Sequence, residues 1–161
     1  MSTLFTIGYE GASLADFIAT LQHSGVQRVL DVREIPQSRR RGFSKNVLAA
    51  ALGEAGISYT HLRQLGDPKE GREAARRGEI AAFQSIFHDH LELPETKDAL
   101  STAAEICQHE PTVLLCFERN PQLCHRTLVA KRLTDLCSLS VRHLGVVHNA
   151  GERFRPVAEA A

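Results

Sequence analysis

Apolar residues along this chain alternate between short continuous runs and helical spacings. Leu4-Phe5-Thr6-Ile7 is a β-type run that stops at Gly8. Ser13, with Asp16 three residues on, has the form of a capping box. Leu14, Phe17, Ile18 and Leu21 then follow at i, i+3, i+4 and i+7, which predicts an amphipathic helix closing at Gly25. Residues 26–32 read as a buried strand that gives way to the polar pair Asp31 and Arg33. Ser44 is placed to cap a second helix with Val47, Leu48, Ala51, Leu52 and Ala55 inward and Gly56 as its stop. Residues 57–62 alternate like a strand.

The charged, glycine-containing residues 66–77 read as a long surface loop, followed by a helix around Ala81, Phe83, Ile86 and Phe87. Leu100, Ala103, Ala104 and Cys107 repeat the helical spacing until Pro111 breaks it. Val113-Leu114-Leu115-Cys116-Phe117 is the strongest central strand. A helix over about residues 123–137, with Val129, Leu133, Leu136 and Cys137 inward, and a strand at 141–147 complete the pattern. Strands alternating with helices of this length predict βαβ units. The expected fold is α/β: a single three-layer domain with a mainly parallel sheet flanked by helices. Such sheets hold ligands at the carboxyl ends of their strands. The residues expected there are Tyr9-Glu10, Asp31-Arg33, His61 with Gln64, and Cys116 with Glu118.

Composition narrows this picture. The 161 residues suit one core, expected over residues 1–155, with an Ala/Glu-rich tail at 156–161 expected to fray. Nineteen Lys and Arg balance nineteen Asp and Glu, which excludes coating of nucleic acid by bulk charge. No basic stretch followed by an apolar run opens the chain, and no run reaches the ~18 apolar residues of a membrane span. Cys107, Cys116, Cys124 and Cys137 form no CxxC pair and are expected to be reduced thiols of a cytoplasmic protein.

Chemistry concentrates in three segments. From Val113 to Arg126 a nearly all-apolar strand delivers Cys116. Glu118-Arg119-Asn120-Pro121 and then Cys124-His125-Arg126 follow at the start of a helix. A helix N-terminus stabilises a thiolate or an anion, so Cys116, Glu118, Cys124 and His125 are catalytic candidates and Arg126 a binding candidate. For Cys116 a plain buried-strand role weighs as much, and for Cys124 the alternative is a small core residue. The seven residues between Cys116 and Cys124 do not match structural-zinc spacings, so no metal and no cofactor are expected.

In the second segment Asp31 and Arg33 leave a strand together, Asp31 as a catalytic and Arg33 as a binding candidate. Ser38, Arg39, Arg40, Arg41, Phe43, Ser44 and Lys45 then form the one strongly basic loop, with Phe43 free to stack. A solvated charge run is the bland alternative. In the third, Ile7-Gly8-Tyr9-Glu10-Gly11 puts a strand end between glycines, offering Tyr9 and Glu10 to a ligand, though without the GxGxxG pattern of a dinucleotide site. His61 is a further binding candidate. As isolated strand histidines, His61 and His143 also read as core residues satisfied by backbone, the commoner outcome for a histidine so placed.

Taken together, Thr6-Ile7-Gly8-Tyr9-Glu10-Gly11, Asp31-Val32-Arg33 with Pro36 and Ser38-Arg39, and Gly42-Phe43-Ser44 carry a resemblance. Gly56-Ile57, Tyr59, His61-Leu62, Leu65-Gly66, Leu115-Cys116, Glu118 and Cys124-His125-Arg126 extend it. The chain resembles the DUF488 family, a domain of unknown function, over about residues 3–147. The resemblance implies a compact cytoplasmic α/β domain with these signature residues and brings no reaction. A looser likeness is to rhodanese-type domains, which also carry Asp-x-Arg after an early strand and a cysteine at the end of a later one. The loop after Cys116 contains no glycine, however, and Gln122 stands where a C-x5-R phosphatase needs arginine.

The expected function is therefore a pocket for an anionic substrate, a nucleotide or a nucleic-acid component, with catalysis by Asp or Glu, Cys and Arg residues at the sheet edge. The alternatives are a phosphate-binding module without chemistry and rhodanese-like thiol or sulfur transfer. No membrane partner is expected.

Overall fold

The computed structural model describes residues 2–154; the expected fraying of 156–161 falls outside the described residues. Five strands, β1 (Ser2–Gly8), β2 (Arg28–Asp31), β3 (Ser58–His61), β4 (Thr112–Cys116) and β5 (Leu139–Leu144), form one sheet in the order β3-β2-β4-β1-β5. Every pairing is parallel.

Along each central strand alternate residues serve opposite faces. Phe5, Val29, Val113 and Leu115 join a core with helices α1 (Leu14–His23) and α2 (Lys45–Glu54). Leu4, Leu30, Leu114 and Cys116 join the other core, with α4 (Ile80–Leu91), α5 (Pro94–His109) and α6 (His125–Leu136). The middle strand β4 is covered on both sides, which explains its unbroken apolar run.

Local signals set most boundaries. Ser13 Oγ accepts the Asp16 backbone N–H at 3.2 Å, so it caps α1. Asp16 does not reach back to complete the box; its carboxylate accepts the N–H groups of Asn149 and Gly151, which ties α1 to the short α7 (Ala150–Arg153). Ser44 precedes α2 without capping it, because its hydroxyl is engaged with the backbone of Ser38.

The expected loop at 66–77 is in fact helical. Lys69–Arg76 form α3, entered from Pro68, with only Gly71 and Ala74 buried. The face that packs holds only small residues, Gly71 and Ala74, so no large apolar side chain marks it, although small and charged residues do follow the helical period. Strong helix formers (Lys, Glu, Ala, Arg) and the tertiary contact decide the conformation. Among the described residues no helix is long and apolar enough to cross a membrane.

Candidate functional site at the carboxyl edge of the sheet

β1 and β4 are neighbours, yet the chain leaves them in opposite directions, toward β2 and toward β5. Between two such strands a crevice opens at the carboxyl edge. Here the backbone continues past both strand ends: Tyr9 N–H donates to the Cys116 carbonyl at 3.2 Å and Glu10 N–H to the Phe117 carbonyl at 2.8 Å. Glu10 Oε1 accepts the Arg119 N–H at 3.0 Å. The loop after β4 thus lies directly over the end of β1. Gly8 permits it, since a Cβ there would stand 1.8 Å from the Glu118 carbonyl oxygen.

On one side of the crevice Asp31 and Arg33 form a closed clasp. Asp31 is fully buried. Its Oδ1 accepts Arg33 Nε at 2.9 Å and its Oδ2 accepts Arg33 Nη2 at 2.7 Å, a bidentate pair, and the Tyr59 hydroxyl donates to Oδ2 at 2.5 Å. Arg33 Nη1 donates to the Phe43 carbonyl at 2.7 Å and to the Tyr9 hydroxyl at 3.3 Å. Burial alone would lower the Arg33 pKa, but the hydrogen bonds and charge of Asp31 outweigh it and raise it. Burial and the Asp31 charge likewise push the Tyr59 hydroxyl up.

Two sequence candidates, Phe43 and His61, are absorbed by this clasp, and two more, Ser38 and Ser44, are engaged within their own loop. Phe43, expected to be free for stacking, is fully buried and lies flat on the Tyr9 ring at 4.5 Å. Gly42-Phe43 turns inward, so the aromatic residue of the basic loop serves the core. Ser44 and Ser38 fasten the loop to itself, and His61 Nε2 meets the Arg33 carbonyl at 2.7 Å, outside the crevice. His143, read like His61 as satisfied by backbone, instead meets the Thr6 hydroxyl at 2.6 Å.

On the other side stand the cysteines. Cys116 ends β4 and Cys124 is the residue from which α6 starts. Cys116 and Cys124 are joined by a disulfide, which corrects the expectation of four reduced thiols, and Cys107 and Cys137 are free. Spacing along the chain hid this. The short helical turn Pro121–Leu123 folds the loop back, which brings the end of β4 to the start of α6.

His125 Nε2 lies 2.6 Å from the Val32 carbonyl, and its Nδ1 is 3.7 Å from Cys124 Sγ. A carbonyl only accepts, so Nε2 carries the proton and Nδ1 presents its lone pair to sulfur. Burial pushes His125 down to about 4, leaving it neutral. Together Cys116, Cys124 and His125 gather three metal-ligating atoms within 4.8 Å of one another.

Arg126, expected at a ligand, is fully buried. Its Nη1 donates to Cys116 Sγ at 3.2 Å and to the Glu118 carbonyl, and its Nη2 to the Arg119 carbonyl at 3.3 Å. It therefore shapes the loop from beneath. Burial lowers its pKa to about 10, against the opposing charge of Glu118.

Between the two sides lies a cavity of about 540 Å³. Of the sequence candidates, Tyr9, Arg33, Ser38, Arg39, Cys116, Glu118 and His125 reach it. Asp31, Glu10, Phe43, Ser44, His61, Cys124 and Arg126 do not line it. Sequence reasoning missed the wall contributed by α3 and its entry: Asp67, Arg72 and Arg76. Burial raises Asp67 to about 7, with Glu118 and Glu34 adding repulsion and Arg72 opposing; its Oδ1 has no hydrogen-bond partner. Burial also pushes the Glu118 carboxyl up. Gly71 leaves room for Asp67, whose Oδ1 would lie 2.0 Å from a Cβ on that residue. The available signal was Asp67-Pro68 opening a segment of helix formers.

No curated protein and no solved structure matches the chain. The family model described as "Domain of unknown function DUF488" matches residues 13–133, a span that holds every cavity residue named above except Tyr9. On that match, which covers three quarters of its length, the chain belongs to the DUF488 family.

Proposed function

We propose that the crevice binds an anionic small molecule of the nucleotide or nucleic-acid-component class and acts on it. The observation that carries this reading is a convergence. Of the eight large apolar side chains left exposed among the described residues, Ile35, Ile80, Phe117 and Leu123 all line this one cavity. Arg39 and Arg76 line it too, and neither has a carboxylate partner among the described residues. Apolar surface beside unpaired guanidinium groups suits a ligand with a flat ring and a charged end. Asp67, holding a proton near neutrality, and Glu118 supply the acid and base for chemistry on it.

The probe is a nucleoside diphosphate, titrated calorimetrically with pyrophosphate in parallel. Binding is expected, weaker for pyrophosphate, and at least tenfold weaker in the Arg39→Ala/Arg76→Ala double variant. Undiminished affinity in that variant, or no binding at millimolar nucleotide, would overturn the reading.

The contact between Cys116 and Cys124 favours a second reading, thiol–disulfide exchange. One thiolate attacks a substrate disulfide and expels one thiolate; the second cysteine attacks the mixed disulfide and expels the other, leaving the Cys116–Cys124 bond. This requires a thiol titrating well below about 8.5 in the reduced protein. Iodoacetamide labelling against pH, read by mass spectrometry, measures it.

A further inference from the structure

The geometry points to a metal centre: in the reduced protein Cys116 Sγ, Cys124 Sγ and His125 Nδ1 bind one divalent ion of the zinc class, with the fourth position open to the cavity. This goes beyond substrate binding and stands whether or not the arginines hold an anion.

Three independent observations support it. First, the two Cα atoms are 7.4 Å apart. That is wider than the usual ~4.4–6.8 Å across a covalent bridge. The backbone thus leaves room for an ion between sulfurs that have been reduced and parted.

Second, the imidazole is already oriented as a ligand. Its Nε2–H is fixed on the Val32 carbonyl at 2.6 Å, and the edge of Phe87 packs against the ring at 5.3 Å. The bare Nδ1 faces Cys124 Sγ at 3.7 Å. Donation of the remote ring nitrogen to a carbonyl is the usual support for a metal-bound histidine. Bonds of about 2.3 Å to sulfur and about 2.0 Å to nitrogen put the ligand atoms of a tetrahedral ion roughly 3.6 Å apart. The Cys124–His125 edge has that length.

Third, the charges balance. Two buried thiolates would neutralise a divalent ion, and Arg126, 3.2 Å from Cys116 Sγ, is balanced by Glu118, whose Oε2 stands 3.5 Å from the same sulfur. Without an ion, two thiolates and a carboxylate would share one guanidinium. Cys116, Glu118 and His125 all line the cavity. Three protein ligands with one face open is the arrangement of catalytic rather than structural zinc, with Glu118 beside the open position. Binding expels both thiol protons.

The test uses the full chain, reduced by a phosphine without oxygen and titrated with cobalt(II). One equivalent should give a thiolate-to-cobalt charge-transfer band. Cys116→Ser and Cys124→Ser should each lose at least half of it, and His125→Ala should weaken binding at least tenfold. Absence of the band in the reduced wild-type protein, or its full survival in both serine variants, would overturn the assignment.

Because these variants sit in the core, a second measurement uses the unmutated protein. Zinc should slow alkylation of Cys116 and Cys124 at least tenfold while leaving Cys137 unchanged; equal rates with and without zinc overturn the centre. The Arg39→Ala/Arg76→Ala variant should keep the cobalt band, so failure of anion binding and failure of the metal centre are read separately.

Discussion

Two buried arginines frame the crevice, and they are held in opposite ways. Arg33 has a carboxylate of its own, with two parallel bonds to Asp31, and spends its remaining donors on Phe43 and Tyr9. Arg126 is more deeply buried but meets only a sulfur and two carbonyls, and its Nε has no partner. The first arrangement is complete, so it is a structural clasp. The second gives the cation no carboxylate to hydrogen-bond, only the nearby charge of Glu118, and sets it beside two cysteines, which is where a charged species can still be bound or formed.

Stability measurements break this comparison most directly. Replacing Arg33 with Met strands the Asp31 carboxylate in the core, and the expected loss is about 3–5 kcal/mol in urea unfolding. A loss below about 1 kcal/mol would show that Tyr59 and the backbone satisfy Asp31 without the guanidinium.

Asp67 sharpens the contrast through pH. Its folded pKa of about 7 lies above the ordinary carboxylate value, so between about pH 4 and pH 7 the native state holds a proton that the unfolded chain has released. The stability contributed by that proton is whole below about pH 4 and fades as the pH rises through 7. Asp67→Asn removes the titration. The variant should gain roughly 2–4 kcal/mol over wild type at pH 8 and much less at pH 5. Parallel urea curves at the two pH values check it, and an equal difference at both would place Asp67 in contact with water.

The regions were unequally legible in the sequence. Strand and helix order followed from periodicity because the central strands face two apolar layers and each long helix one, and both leave a repeating pattern. Tyr9, Arg33, Cys116 and Glu118 were found because a parallel sheet sends whatever follows its strands to one edge, Arg39 because it opens a basic loop, and His125 because it starts a helix beside a cysteine. α3 was invisible because its buried face is Gly71 and Ala74, and with it went Asp67, Arg72 and Arg76, a whole wall of the cavity. The inward turn of Phe43 and the meeting of Cys116 with Cys124 were hidden too. Both are set by how a loop folds back, which spacing along the chain does not encode.

The smallest effect on stability should come from Arg126→Met, although its side chain is the largest fully buried one. Methionine fills much of the same space, and no carboxylate is stranded, since Glu118 reaches the cavity. What is lost is a weak donation to Cys116 Sγ and donation to the Glu118 and Arg119 carbonyls, both in a partly exposed loop, so a change within about 1 kcal/mol is expected. Reactivity should change more. A guanidinium 3.2 Å from Cys116 Sγ favours the thiolate, so removing it should slow the iodoacetamide reaction of reduced Cys116 at pH 7 roughly tenfold. An unchanged rate would mean that Arg126 only braces the loop. A stability loss as large as that of Arg33→Met would mean that the two arginines are equally structural.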